Sequence, residues 1–154
     1  MLKSASKKLL TVGIIASSLV FSSQAAFAQT TISETTNYND DYYVAQPIPA
    51  YGDIAKGTIS SPIDKDWYSI QTGPNDGGRT MTVFLQNPTD SHYIIIVNKN
   101  DASPVNVTYL NPGNNNDWVM FTTEANTRYN FGVIRSTNSN FDPNAHYYLT
   151  PNIF

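Results

Sequence analysis

Thr80-Met81-Thr82-Val83-Phe84-Leu85-Gln86 alternates side chains of two kinds, with Met81, Val83 and Leu85 on one side of an extended chain and polar or aromatic residues on the other. The same period of two returns in Tyr129-Asn130-Phe131-Gly132-Val133 and in Tyr68 with Ile70. No long stretch carries helical periodicity. Between the alternating runs stand clusters of Gly, Pro, Asn and Asp such as Gly73-Pro74-Asn75-Asp76-Gly77-Gly78, which punctuate strands. Eight strands follow: Ile54 to Ser60, Trp67 to Thr72, Thr80 to Gln86, Tyr93 to Asn98, Val105 to Leu110, Trp118 to Thr123, Tyr129 to Arg135 and Tyr147 to Pro151. Their spacing of roughly 8 to 12 residues predicts an all-β, antiparallel β-sandwich. Tyr93-Ile94-Ile95-Ile96-Val97 is apolar on both sides, which predicts a central strand with both faces covered.

At the N-terminus, Lys3, Lys7 and Lys8 precede the apolar run Leu9 to Phe21, and Ala26-Phe27-Ala28 closes it with small residues. This is the pattern of a secretory signal peptide over residues 1–28, because the apolar run is shorter than the roughly 20 residues that span a bilayer. The mature protein is expected to be secreted and extracellular, without membrane insertion. Residues 29–41 are poor in apolar side chains and predict an extended or mobile segment, and residues 42–154 form the sandwich domain.

The chain carries 12 acidic and nine basic residues. Removal of the leader leaves six basic residues, scattered singly, and a net charge of −6. No basic stripe exists to neutralise phosphates, so nucleic acid is excluded as a partner. The chain has no cysteine, which rules out disulfides, thiol catalysis and lipidation at a cysteine.

A family resemblance lies in Gly57-Thr58-Ile59-Ser60-Ser61-Pro62-Ile63-Asp64-Lys65-Asp66-Trp67-Tyr68-Ser69-Ile70. The stretch resembles the Gly-x-Ile, then Asp-x-Asp-Trp-Tyr-x-Phe signature of bacterial pre-peptidase C-terminal domains. Asn39-Asp40-Asp41-Tyr42-Tyr43-Val44-Ala45-Gln46-Pro47-Ile48 is similar to that family's opening segment, Tyr129-Asn130-Phe131-Gly132-Val133 to its Tyr-x-Phe-x-Val strand, and Tyr147-Tyr148-Leu149-Thr150 to its last strand. The likeness runs from about Asn37 to Pro151. It implies a sandwich of jelly-roll type that is appended to secreted hydrolases and is not itself catalytic, as in the collagen-binding domains of clostridial collagenases.

Calcium is the cofactor expectation. Asp64 and Asp66 in one turn, with Asn39 and Asp40 from the opening segment, supply hard oxygen donors if the two segments meet. In the calcium-binding relatives two acidic residues precede the Asn-Asp pair at alternate positions, which here hold Thr35 and Asn37; Glu34 or Asp41 is left to substitute in a shifted register. The competing reading is that Asp64 and Asp66 cap the turn backbone. All ten Tyr and both Trp follow the leader, and Tyr42, Tyr43, Trp67 and Tyr109 are the candidates for an aromatic binding surface, with Tyr51 and Tyr148 beside them.

The leading functional expectation is a secreted, non-catalytic module that binds an extracellular polymer such as a protein matrix, a polysaccharide or cell wall. The alternatives are an accessory or chaperone-like partner of a secreted hydrolase, and a small hydrolase. The last has only His92, with Ser91 beside it, and His146 to offer, and the carboxylate pair Asp64 and Asp66.

Overall fold

The computed structural model describes residues 28–35, 39–110, 116–137 and 139–154. The leader lies outside the described residues except for Ala28. Ten strands are present: β1 (Thr31–Ser33), β2 (Gln46–Pro47), β3 (Ile54–Gly57), β4 (Lys65–Gln71), β5 (Thr80–Gln86), β6 (Tyr93–Lys99), β7 (Thr108–Leu110), β8 (Asn116–Thr122), β9 (Arg128–Arg135) and β10 (Tyr147–Ile153), with a 3-10 turn at Tyr42–Val44. They form a six-stranded sheet in the order β1-β3-β10-β5-β8-β7 and a four-stranded sheet in the order β2-β4-β9-β6. The chain is thus a β-sandwich, as the alternation predicts.

Each alternating set points inward. Met81, Val83 and Leu85 from the larger sheet, and Tyr68, Ile70, Tyr129, Phe131 and Val133 from the smaller one, are all buried in a single core. On β5, β8 and β10 one face leaves water and the other stays half-exposed or exposed, whereas on β4 and β9 the outward-facing Trp67, Ser69, Asn130 and Gly132 are buried as well.

Two features differ from the antiparallel expectation. The sheets are mixed, because β1 pairs with β3 and β2 with β4 in parallel. The leading segment runs beside β3 in one sheet and then crosses to β4 in the other, so its two short strands take the direction of that crossing. Within residues 29–41, Thr31–Ser33 is a strand. It is also fixed, since Ile54 N–H donates to Thr30 O, Thr30 N–H to Asp53 Oδ1 and Glu34 N–H to Lys56 O. The sandwich therefore takes in strand residues ahead of residue 42.

The second difference is β6, which is an edge strand and not a central one. Ile94 and Ile96 face outward and are half-exposed. Its free backbone edge is covered by other means. The Asn87 side chain donates to Tyr93 O at 3.1 Å and accepts from Tyr93 N–H at 3.0 Å, Tyr109 Oη donates to Ile95 O, and Val105 N–H donates to Val97 O. An apolar run therefore sits at an edge because side chains and a returning loop replace a neighbouring strand.

On the outside of the smaller sheet Trp67 lies over Gly132, opposite it in the β4–β9 ladder. A Cβ at position 132 would stand 2.9 Å from Trp67 Cη2 and Cζ2. Replacing Gly132 with Ala should therefore lower stability by about 1–3 kcal/mol through forced displacement of the indole. The expected outcome is a lower urea midpoint with an unchanged slope, accompanied by altered tryptophan fluorescence of the folded state.

Candidate functional site

β4 begins with Lys65 outward and Asp66 inward, in phase with Tyr68 and Ile70, so the pleat that builds the core also carries a carboxylate into the end of the sandwich. Asp66 is fully buried. Tyr147 from β10 donates its hydroxyl to Asp66 Oδ2 at 2.5 Å, and the Tyr147 and Tyr68 hydroxyls share a hydrogen bond of 2.9 Å. Gly57 leaves the space for this chain, because a Cβ there would come within 2.3 Å of the Tyr147 hydroxyl. Asp66 Oδ1 has no hydrogen-bond partner among the described residues.

The leading segment and the turn before β4 bring further carboxylates to Asp66. One carboxylate oxygen from each of Asp40, Asp64 and Asp66 lies within 4.8 Å of the others. Asn39 is fully buried beside the Tyr68 hydroxyl. Its carbonyl accepts from Trp67 N–H at 2.6 Å, and among the described residues neither atom of its side-chain amide has a hydrogen-bond partner. Glu34, the residue after β1, accepts from Thr58 N–H at 2.8 Å, and its charge acts on Asp66. Asp41 turns elsewhere, accepting from Tyr43 N–H to cap the 3-10 turn. Between the two acidic residues that the sequence left open, the fold brings Glu34 to the cluster. Glu34, Asp40 and Asp64 stand in the wall of a cavity of about 320 Å³, to which Lys56 and His146 also contribute.

Asp64 performs the capping role as well. Its Oδ2 accepts from Ser60 N–H at 2.5 Å and Ser60 Oγ at 2.7 Å, and its Oδ1 from Lys65 N–H. Asp66 does not cap the turn. The two aspartates, two residues apart, thus have different surroundings.

Among the aromatic candidates, Tyr42, Tyr43 and Trp67 come together and Tyr109 does not. The Tyr42 ring lies 3.9 Å from that of Tyr43 and 5.9 Å from that of Trp67, measured between centroids. Trp67 points outward as its phase requires, yet it is only 8% exposed, whereas Tyr43 is 73% exposed. Tyr109 sits on β7 in the other sheet and spends its hydroxyl on β6. His92 places Nε2 3.4 Å from Asp117 Oδ1, and Ser91 N–H donates to Pro88 O. Tyr147 was not foreseen as part of the site. It is 81 residues from Asp66, and no local pattern connects the two.

Burial pushes the Asp66 carboxyl up to about 8 from 3.8, the Tyr147 hydrogen bond works against that rise, and the charges of Glu34 and Asp64 add to it. With the folded value above the unfolded one, the folded state holds a proton that the unfolded state has released between those two limits. In chelator, thermal stability should fall as pH rises from about 4 to 8. Asp66→Asn should flatten that slope, which melting curves across the pH range will read directly.

No family model matches the sequence. None of the curated proteins matches it either. The three-dimensional arrangement does have a counterpart: the crystal structure of the pre-peptidase C-terminal domain of a collagenase from Bacillus anthracis is similar with a TM-score of 0.50, over 70% of this chain and 94% of that chain, at 13% sequence identity. The chain has the fold of a pre-peptidase C-terminal domain.

Proposed function

We propose that the protein is a non-catalytic β-sandwich module that works outside the cell, holds a calcium ion where its leading segment crosses between the sheets, and binds an extracellular polymer. The observation that carries the cation is the pair of fully buried side chains, Asn39 and Asp66, each with an oxygen that lacks a partner among the described residues, near the carboxylates of Asp40 and Asp64. A buried carboxylate oxygen without a donor is costly, and a cation relieves it. The donor set of Glu34, Asn39, Asp40, Asp64 and Asp66 is all oxygen, which suits a hard ion that takes six to eight such ligands. Zinc is less suited, since no cysteine exists and His146 is the one imidazole among the described residues of the cavity wall. When bound, calcium would supply the positive charge that ties the leading segment to β3 and β4.

Export is supported by the leader pattern, and no helix among the described residues is long and apolar enough to cross a membrane. A non-catalytic role is supported by the fold likeness to a domain of a collagenase rather than to its catalytic part. It is supported also by the use of Asp64 for the turn backbone and of His92 for Asp117. The same likeness favours a second reading, an accessory of a separate secreted hydrolase.

A ligand that binds only the folded state raises the unfolding midpoint, by about 2.7 kcal/mol of stability at a hundredfold excess over Kd. Calcium added to chelated protein should raise the midpoint by several degrees. Asp66→Asn and Asn39→Ala should each remove that rise. An unchanged midpoint in calcium would refute the cation, and an equal loss of stability with and without calcium in the variants would reduce these residues to structural roles.

A further inference from the structure

The two sheets differ in what they turn to solvent. The outside of the smaller sheet carries Lys65 and Arg128, and the 3-10 turn with Ala45 packs on it, Arg128 donating to Ala45 O. The outside of β10, β5, β8 and β7 is not covered by any of the described residues. Every outward-facing residue of these four strands is half-exposed or exposed, and none is Asp, Glu, Lys or Arg. In a chain with 12 acidic and nine basic residues this is an unusual gap, since a solvent-facing surface ordinarily interleaves charges of both signs. The nearest charge on the neighbouring strand is Lys56 on β3, opposite Tyr148.

At the centre of this face stand two rings. Trp118 is 41% exposed, and Phe84, its partner in the β5–β8 ladder, meets it at 5.3 Å between centroids with planes 80° apart. The edge-to-face contact fixes the indole at no further ordering cost when something settles on it. One cross-strand row reads Thr150, Phe84, Trp118, Leu110, and the adjacent row places Asn152, Thr82, Met120 and Thr108 in register. Four strands at the usual spacing make such a row about 14 Å long. The surface is therefore an extended, uncharged strip with apolar rings in the middle and hydroxyl and amide groups around them.

We infer that this face is a docking platform for a neutral polysaccharide. Its lack of charge selects against nucleic acid, acidic glycans and charged peptide segments, none of which would find a counter-ion there. Sugar rings present C–H faces that pack on aromatic rings, and their hydroxyls both donate and accept, as do the Thr hydroxyls and the amides of Gln86 and Asn152. The length of the strip fits several consecutive rings of a chain rather than one sugar. The inference rests on the reading of the protein as a binding module, but not on the cation, because the Asp66 cluster lies between the sheets and the strip on the outside of one.

The test is retention of the protein on insoluble cellulose, chitin and starch, with gelatin and heparin as comparators, followed by affinity electrophoresis in any soluble form of the glycan retained. Retention on at least one of the three neutral glycans is expected, weakened at least tenfold by Trp118→Ala and by Thr82→Glu, which adds a charge and leaves the rings in place. Both variants should keep the calcium-dependent melting shift of the parent, and Asp66→Asn should keep the glycan binding below its own melting point. Failure of all three glycans, or retention that neither variant weakens, overturns the platform. Retention on gelatin alone that is lost in Trp118→Ala overturns it in favour of a protein polymer and leaves the binding-module reading standing. A concentration-dependent dimer abolished by Trp118→Ala overturns it in favour of a second copy of this chain. Loss of the calcium shift alone speaks against the cation and not against the platform.

Discussion

A carboxylate sealed inside the sandwich governs much of this structure. Asp66 shares the inward phase of β4 with Tyr68 and Ile70, so the chain cannot bury those two without burying it as well. Charge in such a place is tolerated only when it is bonded, paired or neutralised. Tyr147 bonds one oxygen, reaching across from the opposite sheet, and Gly57 is needed on β3 to leave room for the hydroxyl. The other oxygen has no hydrogen-bond partner among the described residues. The glycine on β3, the tyrosine on β10, the turn at Asp64 and the residues Glu34, Asn39 and Asp40 of the leading segment are thus all arranged around a single buried group.

The leading segment is correspondingly more than an appendage. It adds β1 in parallel to the larger sheet, crosses the end of the sandwich, and adds β2 in parallel to the smaller one. Parallel neighbours cannot be joined by a tight hairpin, and the connection from β1 to its parallel neighbour β3 runs by way of β2 in the other sheet, with Glu34, Asn39 and Asp40 on its first part. After the crossing, the 3-10 turn packs against β4 and β9, where Tyr42 meets Trp67 and Arg128 reaches Ala45 O. The candidate metal centre and the cover over Trp67 are therefore successive parts of one strap. Among the described residues the larger sheet has no such cover on the outside of β10, β5, β8 and β7, where Trp118 is exposed.

Edges are handled by side chains. β6 ends the smaller sheet, and a bare edge as apolar as Tyr93-Ile94-Ile95-Ile96-Val97 would invite pairing with another chain. Asn87 imitates a strand by both donating to and accepting from the backbone of Tyr93, and Tyr109 reaches over from β7 to Ile95. These contacts also hold the margins of the two sheets together at that side.

Period-two alternation was enough to place eight strands and their buried sets, because a pleat has only two faces and the core accepts one. The paired aspartates of the turn and the Asn39-Asp40 opening were equally legible, since oxygen donors at close spacing state their chemistry wherever they lie. Alternation is silent about neighbours, however. It could not tell that β6 lies at an edge, that the 3-10 turn buries the outward-facing Trp67, or that Glu34 and not Asp41 turns toward Asp66. Nor could it join Tyr147 to Asp66, as 81 residues separate two groups that meet only when β3, β4 and β10 are packed. Local sequence determined which side chains leave water and which carry oxygen. The packing of the two sheets decided which of those oxygens face one another, because that depends on contacts between segments far apart in the chain.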